Sequence, residues 1–242
     1  ILMFSLTLII EPRQISRSIS DYRVIGIGLF TIFVLMPSLS LISRIFFLPI
    51  VYAGTVLAFC CPSAIATTFW AKVFKGDVAT AIVISVFTNL ISIVTIPVTM
   101  LIAVGTTVNV DIAGLMLNLA EIVLVPMAAS FLLRRAIRVD WTGLNKYSSR
   151  LELGILALLV WGSTAPGANY ALNNLPDFVW LNVFIFALLA SAFVMTHFLM
   201  RRFGHQKTIS IEIATIVKNA ALSLVLGLTA FGPDVLPPLI AN

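Results

Sequence analysis

Charge is what this chain has least of: only 10% of its 242 residues are charged, against about a quarter in soluble domains. With 60% hydrophobic residues and a mean hydropathy of +1.08, that scarcity excludes a water-soluble domain and points to an integral membrane protein. Cysteine is almost as rare. Cys60 and Cys61 are adjacent inside an apolar run, which excludes both a zinc-ligand spacing and a disulfide framework. His197 and His205 make no metal-ligand spacing with each other or with the cysteines, so no metal is expected. The chain also lacks Gly-x-Ser-x-Gly, His-Glu-x-x-His, a Walker lysine loop and the paired aspartates of lipid-phosphate enzymes. An enzyme is therefore not expected. Because the chain starts at Ile1, within an apolar run, its natural N-terminus is expected to be missing or processed.

What is present is a series of apolar runs separated by charge clusters, giving about eight candidate spans. They are Ile1–Ile10, Val24–Ser43, Pro49–Ala71, Val78–Val104, Ile112–Leu133, Leu151–Leu172, Phe178–Met200 and Thr208–Phe231. The connections Glu11–Arg23, Lys72–Asp77, Arg134–Arg150 and Arg201–Lys207 are basic, and the alternate ones are nearly free of base. By the positive-inside rule the basic loops are cytoplasmic in a multi-pass protein of the cell membrane. Of the 15 basic residues, all but Arg44 and Lys218 fall in those loops, so the net charge of +5 reflects orientation and lipid contact, not nucleic acid. Tyr22, Trp70, Trp141, Tyr147 and Trp180 lie near span ends, as interfacial anchors do.

Three spans carry polar residues that lipid alone would not tolerate. In Ala58–Asp77, Pro62 removes the hydrogen bond to the Ala58 carbonyl, and Ser63, Thr67, Thr68 and the upstream Thr55 supply hydroxyls around it. Such a span is either a broken helix lining a cavity or a proline kink whose hydroxyls re-satisfy the backbone. In Val78–Val104, Ser85, Thr88, Asn89, Ser92, Thr95 and Thr99 fall at three- and four-residue steps and form one stripe. The stripe reads as helix–helix glue at Thr95 and Thr99 and as a site at Ser85 and Asn89. In the last span Glu212, Thr215, Asn219 and Ser223 share a face, with Lys218 as the lone base in the membrane core. That lysine should be paired, beside a cavity, or neutral, with Glu212 and Glu121 as candidate charge partners. A buried ion pair serving only to fix packing is the plainer alternative.

Taken in order, several short motifs carry a resemblance. They are Ile1–Ile10 followed by Glu11-Pro12, then Met36-Pro37, Cys60-Cys61-Pro62, Gly76-Asp77, Pro97, Val125-Pro126 and Asn219. Together they resemble the sodium/bile acid symporter family over almost the whole chain, lacking a preceding first and a following last helix. The resemblance implies an all-α, polytopic bundle of two inverted repeats, in one transmembrane domain over residues 1–242. Core-type helices would span about 24–104 and 178–231, and panel-type helices about 1–10 and 112–172. It further implies that two broken helices, around Pro62–Thr68 and Thr215–Ala221, cross at mid-membrane, where transporter sites lie.

The same resemblance implies a secondary transporter of a small organic anion, with Ser63, Thr67, Thr68, Ser85, Asn89, Thr215, Lys218 and Asn219 around the substrate or ion and Pro62 shaping the break. Sodium or a proton would be the coupling ion. The family's sodium ligands are altered here: Thr67-Thr68 replace Ser-Asn, Ala81 a serine, Ala214 a glutamate, Lys218 a glutamine and Ile32 a glutamine. Sodium needs oxygen ligands, and an ammonium repels it. Lys218 is expected to exchange a proton during the cycle and take over sodium's role, giving transport that depends weakly on sodium and clearly on pH; the plainer alternative is a lysine that stays charged as a fixed counter-ion, with little pH response. Rival readings are an arsenite-type permease using Cys60 or Cys61, a non-transporting paralogue, and an intramembrane enzyme.

The charge pattern predicts that Arg13, Lys75, Lys146 and Arg202 face the cytoplasm, with Asn109 and Asn173 on the other side. Cysteine-accessibility labelling should place Lys75 and Asn109 on opposite faces, and labelling of both from one face contradicts the topology.

Overall fold

The computed structural model describes residues 21–64, 66–105, 112–136, 154, 157–158, 161, 172–232 and 235–241. Among them every regular element is helical, as expected of an all-α membrane protein. Helix α1 (Tyr22–Ile45), α4 (Val78–Val104), α5 (Ile112–Ala136) and α6 (Leu175–Met200) are long and apolar enough to cross a membrane. The other helices are α2 (Pro49–Cys60), α3 (Thr67–Val73), α7 (His205–Ile216), α8 (Ala220–Phe231) and α9 (Leu236–Ala241). Two of the expected spans are thus each divided, Pro49–Ala71 into α2 and α3, and Thr208–Phe231 into α7 and α8. The expected span Ile1–Ile10, and almost all of Leu151–Leu172, lie outside the described residues, as do Arg13, Asn109, Trp141, Lys146 and Tyr147.

Local chemistry explains most boundaries. Pro49 opens α2, where a missing N–H costs nothing. The helix ends at Cys60 because Cys61, the residue before Pro62, is driven to extended backbone (φ −63°, ψ 149°). Asp77 caps α4, its carboxylate accepting from the Ala79 N–H (3.1 Å) and the Thr80 hydroxyl (2.7 Å). Inside α1 the turn widens to a π-type turn over Thr31–Leu35, just before Pro37, whose ring cannot join the regular ladder.

Helix α2 is the centre of the bundle, buried from Val51 through Cys60 and packed against α4, α8 and α9. Lipid supplies no hydrophobic drive between helices, so close approach of small residues holds them together. Gly54 is such a point: a Cβ there would meet Pro238 Cγ at 2.5 Å and the Val235 carbonyl oxygen at 2.8 Å. At one end of the bundle three basic loops meet. Asp77 N–H donates to the Gln206 carbonyl (3.0 Å), the Ser210 hydroxyl donates to the Asp77 carbonyl (2.8 Å), and Lys207 pairs with Asp21. The sequence assigns these loops to a common side, and the structure brings them into contact.

Gly54→Ala should destabilise the fold by about 1–3 kcal/mol, because the obstructing atom is backbone and cannot swing aside. Thermal unfolding in detergent should show a lowered midpoint; an unchanged one would mean that α9 does not press on α2 as described.

Candidate functional site

The two interrupted helices meet at their interruptions. Between α2 and α3 the chain runs extended through Cys61–Ala64, and between α7 and α8 through Val217–Asn219. The strands pair antiparallel, with Ser63 opposite Lys218. Ala64 N–H donates to the Val217 carbonyl (2.9 Å) and Asn219 N–H to the Pro62 carbonyl (3.0 Å). Each break thereby satisfies backbone groups that its own helix has abandoned. The first break has its cause in Pro62. The second has no proline or glycine; Asn219 makes it, its side chain capping α8 by accepting from the Leu222 N–H (3.2 Å).

A polar cluster surrounds this crossing. The Ser63 and Thr67 hydroxyls share a hydrogen bond (2.8 Å), and Ser63 also reaches the Ser85 hydroxyl at 3.4 Å. Asn89 Nδ2 donates to the carbonyls of Ser63 (3.1 Å) and Ser85 (2.7 Å), while its Oδ1 accepts from Asn219 Nδ2 at 3.4 Å. Ser63, Thr67, Ser85, Asn89 and Asn219 are therefore joined in one network, with Pro62 at its edge. Thr68 is half-buried beside Thr67. Thr215 stands one turn back and hydrogen-bonds the Thr31 hydroxyl of α1 (2.9 Å), linking α1 to the second break. The polar stripe of α4 is inward as expected, with Ser85, Thr88, Asn89 and Ser92 buried and Thr95 and Thr99 half-buried.

Lys218 lies in the middle of this arrangement. It is 6% exposed, and its Nζ has no hydrogen-bond partner among the described residues. Cys60 ends α2 just before the first break, with Cys61 next to it, and the Cys60 thiol donates to the Leu57 carbonyl (3.3 Å). The α2 and α7 helices both end beside this lysine, and a helix C-terminus carries about half a negative charge. The crossing thus brings together a buried amine, neutral hydroxyls and amides, and the ends of broken helices.

The candidate charge partners are corrected. Glu212 does not pair with Lys218: its Oε1 is 2.7 Å from His197 Nδ1. The physical reason is the break at 217–219, which ends the continuous helix on which Glu212 and Asn219 would share a face. Glu212 instead meets α6 across the hairpin at Gly204, with its side chain 7% exposed and that of His197 53%. Glu121 is exposed on α5 and makes no ion pair among the described residues. Thr31 and His197 are the contributors that sequence reasoning missed. Thr31 was an isolated hydroxyl in an apolar span, and His197 was legible only through the hairpin register.

A model of the Sodium Bile acid symporter family matches residues 1–169, which include the first break but not the second. No curated protein matches the chain.

Asn89→Leu should cost about 1–3 kcal/mol, because it removes the donor that the Ser63 carbonyl uses at the crossing. Thr95→Ala, whose hydroxyl bonds only the Ile91 carbonyl of its own helix (3.2 Å), should be near neutral. Thermal unfolding of the two variants tests the difference, and equal losses would deny the crossing its structural weight.

Proposed function

We propose, since this chain belongs to the sodium bile acid symporter family, that it is a secondary active transporter moving a small organic anion through the crossing of its two broken helices. The protein is an integral, multi-pass membrane protein in contact with the bilayer, and its family is one of transporters. The observation that carries the substrate class is the buried Lys218 amine, whose Nζ has no hydrogen-bond partner among the described residues. A buried charge left alone is costly, and a carboxylate is the group that would offset it. Ser63, Thr67, Thr68, Ser85, Asn89, Thr215 and Asn219 supply polar contacts around that pair, with Pro62 holding the break open.

In this reading α1–α4 and α6–α8 form the core that carries the site, and α5 belongs to the panel. The end where Lys75, Arg202 and Lys207 gather faces the cytoplasm. Lys218 serves as the counter-ion, and the alteration of the family's sodium ligands that the resemblance implies at Thr67-Thr68, Ala81, Ala214 and Ile32 accords with that role.

Purified protein in proteoliposomes should take up at least one of radiolabelled pyruvate, benzoate and cholate, without needing sodium. Lys218→Gln should weaken binding of that anion roughly tenfold to a hundredfold, the worth of a charge-assisted hydrogen bond. Unchanged affinity in that variant would remove Lys218 from the site.

A further inference from the structure

We propose that the basic end of the bundle holds the headgroup of an anionic phospholipid, whose phosphate bridges the outer ends of the half-helices α3 and α7. The inference needs neither Lys218 nor the transported anion, and it holds in whichever leaflet this end lies.

Loops distant in sequence supply the charge. Arg23, Lys72, Lys75, Arg201 and Arg202 are exposed at this end, and Lys207 is half-buried. The acids described there are already engaged: Asp77 caps α4 and Asp21 pairs with Lys207. The five exposed bases make no ion pair among the described residues. Orientation of the spans requires only that such residues lie in the loops. Here the backbone also draws the loops together. The Asp77 N–H reaches the Gln206 carbonyl, and a Cβ on Gly76 would meet the Ser210 hydroxyl at 2.8 Å.

Lys75 carries a second mark. Helix α3 closes with the Gly76 N–H donating to the Ala71 carbonyl (2.7 Å) and the Lys75 N–H to that of Lys72 (3.3 Å). This Schellman ending puts Lys75 in the left-handed region at φ 59°, where glycine is the usual residue. A side chain there strains the backbone, and the strain is kept at an exposed residue that ends in an ammonium.

Aromatic rings set these cations at the depth of the headgroups. The Arg201 guanidinium lies 5.3 Å over the Phe198 ring, and that of Arg23 lies 5.7 Å over Tyr22. On α3 the exposed Phe69, Trp70 and Phe74 form a row beside Lys72 and Lys75, with Trp70 and Phe74 stacked at 6.1 Å. Tyr and Trp belong at the membrane–water boundary, so the bases beside them meet lipid phosphates. The crossing fixes the inner ends of α3 and α7. A phosphate shared by Lys72 or Lys75 and the Arg201–Lys207 loop fastens the outer ones.

The test places the full chain in nanodiscs of phosphatidylcholine or of an equal mixture with phosphatidylglycerol. Phosphatidylglycerol should raise the midpoint of thermal unfolding by about 4 °C or more. Inorganic phosphate added to the phosphatidylcholine discs should not. Lys75→Gly relieves the left-handed residue, so in phosphatidylcholine it should unfold no earlier than the unmodified protein. It should nevertheless lose about half or more of the gain from phosphatidylglycerol. Arg44→Gln, at the opposite end of α1, should keep that gain whole. Lipid retained by the unmodified protein, purified from an equal mixture in detergent, gives a readout independent of any variant. It should favour phosphatidylglycerol about fivefold or more, the effect of one base at an anionic surface. Equal midpoints in the two kinds of disc, or unselective retention, overturn the proposal. An equal gain from inorganic phosphate overturns the lipid as ligand. A gain that Lys75→Gly keeps, or that Arg44→Gln loses equally, reduces the effect to overall charge and removes the site.

Discussion

Two backbone hydrogen bonds, Ala64 to Val217 and Asn219 to Pro62, are the constraint on which the rest of this structure depends. Hydrocarbon offers nothing to an unpaired amide or carbonyl, so a broken transmembrane helix survives only if something else completes its ladder. Here each break completes the other. The pairing sets the places where α2 and α7 end and α3 and α8 begin. It brings Ser63 opposite Lys218, and it fixes the direction from which Asn89 and Ser85 approach. A proline in one helix is thus answered by a turn of extended chain in another.

The same constraint explains which features the sequence made legible. Val78–Val104 could be read to its ends, because Asp77 is a local cap and the apolar run stops at Gly105. The break at Pro62 was equally plain, since proline acts on its own backbone and on the residue before it. The break at Val217–Asn219 has no such local mark: Val-Lys-Asn would extend a helix without difficulty, and what interrupts it is pairing with a distant segment plus a cap. Its place came through family resemblance. Glu212 was misassigned for that reason, since its face was drawn on a helix that does not continue to Asn219. The inward polar stripe of Val78–Val104 was legible from spacing alone, because that helix is unbroken.

Two ionisable groups in the described membrane core have been given opposite treatments. Glu212 is neighbour to His197 and its environment is complete within the protein. Lys218 has hydroxyls, amides and helix ends around it but no hydrogen-bond partner for its Nζ among the described residues. Structural charges in bundles are ordinarily closed off in the first way, because an open one weakens the fold. Among the described residues the open one lies at the meeting of two discontinuous helices, where the backbone already departs from the regular ladder.

The antiparallel pairing also has a meaning in time. Its two halves are separated by about 155 residues, so at the usual pace of synthesis the second appears roughly 8 to 30 s after the first. Throughout that interval the segment around Pro62 has entered the membrane with exposed backbone groups and nothing to receive them. The crossing is consequently among the last features to form, and the nascent chain depends on water, or on the insertion machinery, to shelter its first half until Asn219 arrives.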